Sequence, residues 1–322
     1  MKKYQEMVDN CINTILNKKM PYANCIIIGD NSSGKSEILR KVIKSQIRTG
    51  IYFIDSVNRT FDISHVEIEN DNYKNIKMDF EKVVSERIQP YNFNVQDSFL
   101  IFSRIEGLYM RYKSQMQDLI GEFLDVTIDI RREVIEVGVL ENVLYINGEK
   151  MCLSSGYQAV LRIFIELLYF QDLVNSNNLS NPLVVIDEID EYLSPKNSAS
   201  IFNFLIQKFQ NFRFLVTTHS SDLIKYTSDF NLFIINNSKY EIYDSRDIKE
   251  VVDIDSIFEN LFFVNKNNRI PSSVEIDNQI RRLLNMKITD NWTESLESEF
   301  NSIQSENLAP YQKIILKQIK EW

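Results

Sequence analysis

The sequence predicts an α/β fold: a central, mostly parallel sheet flanked by helices, with a mixed α/β insertion and a helical C-terminal region. Three observations predict it. Gly29-Asp30-Asn31-Ser32-Ser33-Gly34-Lys35-Ser36 reads G-x-x-x-x-G-K-[ST], and it lies between the apolar run Cys25–Ile28 and a helical pattern. A second apolar run, Leu183–Ile186, ends in Asp187-Glu188, and a third, Leu215-Val216-Thr217, ends in Thr218-His219-Ser220. Continuous apolar strands that alternate with helical patterns belong to parallel sheets covered on both faces.

With 322 residues, 44% apolar and 11% aromatic, the chain can bury one large core or a core plus an appendage. The formal charge of −9 argues against a globally basic nucleic-acid binder, because backbone affinity comes from Lys and Arg. A local basic face stays open. Cys11, Cys25 and Cys152 are scattered and form no C-x-x-C pair, which suits a reducing cytosol better than a zinc site or disulfide framework. The first residues lack an apolar signal core, and the apolar stretch Val160–Phe170 is interrupted by Arg162 and Glu166. The expected location is cytoplasmic, with no membrane association.

In chain order, Met7, Cys11, Ile15 and Leu16 give residues 4–17 an amphipathic helical pattern. A strand at Asn24–Ile28 leads into the glycine-bearing loop, and the helix after it runs to about Gln46. That helix carries Arg40, Lys41, Lys44 and Arg48 on one face, read as solvated. Ile51–Asp55 is the next strand. Residues 58–96 read as loops with short elements, and a long helical pattern covers Ser98 to about Leu124. Val126–Arg131, Val134–Val139 and Val143–Ile146 read as strands, the last followed by the hairpin signal Asn147-Gly148. Helices at Tyr157–Leu173 and Lys196–Phe209 flank the strand Leu183–Asp187, and the strand Phe212–Thr217 follows. A hairpin at Phe230–Ile235 and Lys239–Tyr243 precedes helical segments near 273–285, 292–304 and 309–321. The expected organisation is a nucleotide-binding core (1–57 and 150–245), an inserted region (58–149) and a C-terminal region (246–322). Asp244, Asp247, Asp253 and Asp255 read as a solvated loop rather than a nuclease constellation.

The chemistry of the motifs converges on a nucleoside triphosphate. Backbone N–H groups of Gly29, Asp30, Asn31, Ser32, Ser33 and Gly34 would curl around phosphates, aided by the N-terminus of the next helix at Lys35, Ser36 and Glu37. Lys35 would reach the β- and γ-phosphates, and the Ser36 hydroxyl would ligate Mg²⁺. Asp187 would hold the Mg²⁺ shell, and Glu188 would polarise an attacking water. His219 is one of only two histidines, and it stands at a strand C-terminus, where parallel sheets bind ligands. It could hydrogen-bond a γ-phosphate or the attacking water. Leu153-Ser154-Ser155-Gly156-Tyr157-Gln158 opens an apolar helix; it can be a good cap or a site for a phosphate presented by another molecule.

This ordered set, G-x-x-x-x-G-K-S, L-S-S-G-Y-Q, V-V-I-D-E and T-T-H-S, resembles the ABC-type ATPase superfamily at motif level over residues 24–236. It looks most like the soluble branch with chromosome-maintenance and DNA-repair ATPases and the overcoming-lysogenization-defect group. Compact AAA-labelled ATPases of anti-phage loci such as Septu, PARIS and retrons are similar. The resemblance implies that Ser154, Ser155 and Gly156 act in trans on ATP held at the loop of a second copy. It implies a Walker B pair at Asp187 and Glu188, a switch histidine at His219 and a segment near the dimer-contacting D-loop at Ile189–Pro195. It also implies a Mg²⁺-contacting glutamine, for which Gln96 is preferred over Gln89. Arg59 resembles a recurrent arginine. The chain departs from the pattern with Ser32 in place of Gly and Ser194 in place of His. Tyr22 could replace the base-stacking aromatic or simply pack.

The expected function is therefore an ATP- and Mg²⁺-dependent ATPase that forms an ATP-sandwich homodimer and controls a neighbouring effector, a nuclease or toxin, in anti-phage defence. The alternatives are a slowly hydrolysing ATP-loaded scaffold that cages an effector, or a P-loop enzyme of another class such as a small kinase. Nucleic acid is not indicated by the net charge.

Overall fold

A computed structural model describes residues 2–17, 20–46, 50–68, 80–89, 105–236, 239–250, 254–258, 292–303, 315–317 and 319–320, with 261, 280, 283, 286 and 287. Asn24–Gly29 (β1), Ile51–Ile54 (β2), Leu183–Ile186 (β6), Arg213–Thr217 (β7) and Phe230–Asn236 (β8) form the parallel part of one sheet. Lys239–Asp244 (β9) adds antiparallel to β8, giving the order β2-β6-β7-β1-β8-β9. Every residue of β1, β2 and β6 is buried. Their unbroken apolar runs are the signature of strands covered on both faces.

The register aligns the strands' C-terminal ends along one edge. Ile27 pairs with Thr217, Ile186 with Val216, and Ile54 with Ile186. The helices are α1 (Lys2–Asn17), α2 (Lys35–Gln46), α5 (Ser155–Asn177), α6 (Pro195–Lys208) and α7 (Ser221–Tyr226). On α2 the basic face is tied down locally: Arg40 pairs with Glu37 at 2.6 Å and Lys41 with Asp9 of α1 at 3.0 Å. α5 is buried from Ala159 to Phe170, charged Arg162 and Glu166 included.

Between β2 and α5 lie α3 (Phe80–Arg87), α4 (Lys113–Leu124) and a second, antiparallel sheet. Its strands are β3 (Ile128–Glu136), β4 (Val139–Ile146) and β5 (Glu149–Lys150), in the order β3-β4-β5. Asn147 and Gly148 both take positive φ, as a two-residue hairpin turn requires.

The structure corrects the sequence reading in three places. The helix expected from Ser98 to Leu124 is, where described, a 3₁₀ turn at Ile105–Leu108 followed by α4. Its apolar positions Ile105, Leu108, Tyr109 and Tyr112 are all buried, but the 3₁₀ turn ends at Leu108 and α4 starts afresh after its N-cap Tyr112 (φ −108°, ψ 14°). The Tyr112 hydroxyl donates to Asp172 of α5 at 2.6 Å. The strand expected at Val134–Val139 is split by a turn at Val137-Gly138, with β3 running unbroken from Ile128 to Glu136. The aspartates from Asp244 onward do not form a loop. Asp244 closes β9 and accepts N–H bonds from Arg246 and Asp247 at the start of α8 (Ser245–Glu250), while Asp255 in α9 (Ile254–Phe258) pairs with Lys225 at 2.5 Å. Asp253 lies outside the described residues.

The chain divides into two compact units, Met1–Phe262 and Phe263–Trp322. The second has a small core of Ile280, Leu283, Leu296 and Ile319, and its α10 (Glu294–Ser302) is capped by Thr293. Among the described residues no helix is long and apolar enough to cross a membrane.

Candidate functional site

β1 delivers Gly29 to the C-terminal edge of the sheet, and the loop turns back on itself before α2. Ser33 N–H donates to Asp30 O at 3.1 Å, and Asn31 N–H to Asp30 Oδ1 at 2.7 Å. Lys35 is almost fully buried and points into the loop, donating to Gly29 O at 2.8 Å and Asp30 O at 3.3 Å. Burial lowers its pKa, opposed by the nearby carboxylates of Asp187, Glu188 and Asp30. Gly34 has φ +108°, a conformation that strains any L side chain, and a Cβ there would fall 2.5 Å from the Tyr4 hydroxyl of α1, which would have to shift. Ser32 holds φ +63° as an L residue, at the place where the family resemblance expects glycine. Ser32→Gly is therefore expected to raise stability by up to about 1 kcal/mol. The check is the midpoint of denaturant unfolding without nucleotide, and a lowered midpoint would contradict it.

The acidic pair lies beyond β6, held by β7. The Thr217 hydroxyl donates to Asp187 Oδ1 at 2.5 Å and accepts the Glu188 N–H at 2.7 Å, so one side chain fixes both residues. Glu188 sits at φ +48°, a left-handed conformation that aims its side chain out of the strand direction. His219 Nε2 stands 3.7 Å from Glu188 Oε1, both side chains being one-third exposed. His219 is the main cause holding the Glu188 carboxyl below the usual glutamate range. Behind them the buried Arg59 donates from Nη2 to Asp187 O at 2.9 Å, while its Nε and Nη1 have no hydrogen-bond partner among the described residues. Asp55 positions the preceding turn by accepting the Asn58 N–H at 2.8 Å.

Ser154 is the N-cap of the 23-residue α5, its Oγ accepting the Tyr157 N–H at 3.3 Å. Ser154 and Ser155 are exposed. Gly156 faces inward, where a Cβ would come 3.1 Å from Tyr192 O. The segment after Glu188 thus packs under the α5 N-terminus. Within it Asp190 is pushed up by burial, against a hydrogen bond from the Thr218 side chain, and its Oδ1 has no hydrogen-bond partner among the described residues. Ser194, standing where the resemblance expects His, caps α6: its Oγ accepts the Asn197 N–H at 3.4 Å ahead of Pro195.

The fold brings together Gly29–Ser36, Asp187, Glu188 and His219 along one sheet edge, whereas Ser154–Gly156 belongs to a separate, outward-facing helix N-terminus. A hydroxyl and a carboxylate, Ser36 and Asp187, are the hard oxygen donors Mg²⁺ takes when phosphate oxygens complete its shell. Glu37 is engaged by Arg40 and Lys41. Gln96 lies outside the described residues; Gln89 donates to Ser85 O at 3.0 Å. The ring of Tyr22 lies 5.9 Å from the Arg246 guanidinium carbon. Sequence reasoning missed Thr217 and Tyr4. Thr217 could have been flagged as the polar residue closing a buried strand opposite the Asp-Glu pair; nothing in the spacing announces Tyr4.

A phosphate-loop strand flanked in a parallel sheet, with the Asp-Glu strand two places away and a capped helix N-terminus apart from both, is a P-loop nucleotide-binding fold of ABC-ATPase-like layout. Residues 149–225, which include Ser154–Gly156, Asp187, Glu188 and His219, match the family model described as "AAA domain, putative AbiEii toxin, Type IV TA system". The chain is similar to the "Retron Ec83 probable ATPase" of Escherichia coli, 33% identical over 92 residues, which are 27% of this chain and 17% of that relative. Among solved structures it is similar to cbiO1 of Clostridium perfringens, part of an ABC transporter complex: 14% identity, 78% of this chain, 85% of that one, TM-score 0.39. It is also similar to the SMC head domain from Thermotoga maritima: 18% identity, 42% of this chain, 48% of that one, TM-score 0.30.

Proposed function

We propose that the chain binds ATP with Mg²⁺ between its own Gly29–Ser36 loop and Ser154–Gly156 of a second copy, hydrolyses it, and thereby controls a partner effector in anti-phage defence. The observation that carries this reading is the Thr217 clamp, which holds Asp187 and Glu188 at the sheet edge where Lys35 is buried. Lys35 would exchange its contacts with Gly29 O and Asp30 O for phosphate oxygens, at little cost because its ammonium is already desolvated. Mg²⁺, held by Ser36 and Asp187, would neutralise phosphate charge. Glu188, kept ionised beside His219, would accept a hydrogen bond from the attacking water and orient it. His219 would lie on the same side, able to bond a γ-phosphate oxygen.

The sharing of the site rests on α5. Its N-terminal N–H groups and the exposed Ser154 and Ser155 hydroxyls suit a phosphate brought by another molecule. Specific activity is then expected to rise steeply with protein concentration. Lys35→Ala and Ser155→Glu chains should each be inactive alone. Mixed, they should recover up to about a quarter of wild-type activity by random pairing of copies. Concentration-independent activity, or no recovery on mixing, would remove the shared site. The defence role extends to this chain from the retron relative, of which it matches 17%. Its effector would be sought by purifying the Glu188→Gln chain with ATP from cells carrying the neighbouring genes.

A further inference from the structure

The first helix begins at the phosphate loop, and its packing fixes which side chain it presents there. Tyr4, Met7, Val8 and Cys11 share one face of α1 by their spacing, and Met7, Val8 and Cys11 are buried in the core. Asp9 holds Lys41 of α2 at 3.0 Å, and the Thr14 hydroxyl meets the Tyr240 hydroxyl of β9 at 3.0 Å. The rotation of α1 is thereby set, and Tyr4 is the member of its inward face that reaches Gly34. Tyr4 at Gly34 and Asp9 at Lys41 make α1 and α2 parallel, so their positive N-terminal ends stand together, an arrangement that an anion between them relieves. The first turn of α1 holds no acidic residue, and Glu37 of α2 is engaged by Arg40 and Lys41.

The hydroxyl leads in this contact. From the place of a Cβ on Gly34, the Tyr4 hydroxyl lies at 2.5 Å and the ring carbons Cε2 and Cζ at 3.1 Å. Tyr4 is half-buried, and among the described residues its hydroxyl has no hydrogen-bond partner. Gly34 O accepts the Ile38 N–H at 3.0 Å, so Gly34 stands at the N-cap of α2 with no side chain to offer the N–H groups that open the helix. We propose, on the reading of Gly29–Ser36 as a triphosphate site, that the Tyr4 hydroxyl is a further phosphate-binding group, donating to a phosphate oxygen seated at the start of α2. A bond from a hydroxyl to an anionic oxygen is stronger than one to a neutral acceptor. The ring, already packed on Gly34, gives up little side-chain freedom when the ligand arrives. Packing alone asks nothing of the hydroxyl, which phenylalanine would omit; a phosphate does.

Equilibrium binding of ATP and of inorganic triphosphate, each with Mg²⁺, to the wild-type, Tyr4→Phe and Lys35→Ala chains tests this, with ligand-free unfolding midpoints to show that each chain is folded. Tyr4→Phe keeps the ring and removes a group that no described residue bonds, so its midpoint should match wild type. Its Kd should rise about tenfold for both ligands, the loss of one bond to a charged oxygen. In turnover KM should rise with kcat nearly kept, as for a contact made alike in the ground and transition states. ATP binding by Tyr4→Phe as tight as wild type would overturn the proposal, and tighter binding would too, by making Tyr4 an obstruction at the loop. A loss confined to ATP, with triphosphate bound as by wild type, would overturn it by assigning Tyr4 to the nucleoside. Lys35→Ala separates the two readings. If it loses both ligands while Tyr4→Phe keeps them, the triphosphate site stands and the role of Tyr4 falls; if it binds ATP as wild type does, the triphosphate site itself falls.

Discussion

Glu188→Gln is expected to lower ATP turnover by about 10²–10⁴-fold while leaving nucleotide binding intact. The amide keeps the shape of the side chain, and the clamp on its backbone N–H by Thr217 is untouched, so the fold and the Asp187 position should survive. What would be lost is the ionised carboxylate proposed to polarise the attacking water. ATP should therefore accumulate unhydrolysed, and size-exclusion chromatography with ATP should show more dimer than wild type. Turnover unchanged in this variant would sink the assignment of Glu188. The pH dependence has a definite sign. His219 holds the Glu188 carboxyl below its ordinary range, so the ionised form is complete at neutral pH and is lost only on strong acidification. In His219→Ala that hold is removed, the carboxyl moves up, and the acid limb of the kcat profile should shift to higher pH.

The positions of the loop and of the Asp-Glu pair were legible because their physics is local. A buried strand followed by a glycine-bearing turn and a helix start is readable from a dozen residues, and so is the Asn147-Gly148 hairpin. Contacts that join distant segments were not. Tyr4 lies against Gly34 although thirty positions separate them, and Thr217 fixes Asp187 and Glu188 from the neighbouring strand. Tyr112, the residue at which α4 starts, meets Asp172, a partner from α5. Alternation carried the reading through Val137-Gly138 because valines on both sides of the turn keep the same pattern. Arg162 and Glu166 read only as charges that forbid a membrane span; the partners that explain their burial, Arg87 and Glu106, come from the inserted region.

That buried set carries the largest stability prediction. Arg87 grips Glu166 with two bonds, at 2.7 and 3.1 Å, and Arg162 donates from Nε to the same carboxylate at 2.7 Å. Arg162 also reaches Glu106 at 3.0 Å, and Arg87 donates to Phe53 O of β2 with its guanidinium 5.6 Å from the centre of the Tyr52 ring. The set thus ties α3, the 3₁₀ turn at Ile105–Leu108 and α5 to the sheet. Glu166→Gln removes the carboxylate that Arg87 grips in the buried core and is expected to cost about 3–5 kcal/mol. Against a typical stability of about 5–15 kcal/mol, that is enough to leave the chain partly unfolded under mild denaturant. Exchanging the set together for Met at Arg87 and Arg162, Leu at Glu166 and Gln at Glu106 should recover most of the loss, since removing all the charges leaves none unpaired. Burial alone would raise the Glu166 carboxyl, but Arg87 and Arg162 outweigh it and hold it at about 2, against an ordinary 4.5. The stability it contributes is then complete above pH 4.5 and lost as pH falls toward 2. Denaturant midpoints measured through that window should fall for wild type and fall less for Glu166→Gln, which has no proton to take up there. Equal slopes in the two chains would show that Glu166 is not the group that titrates.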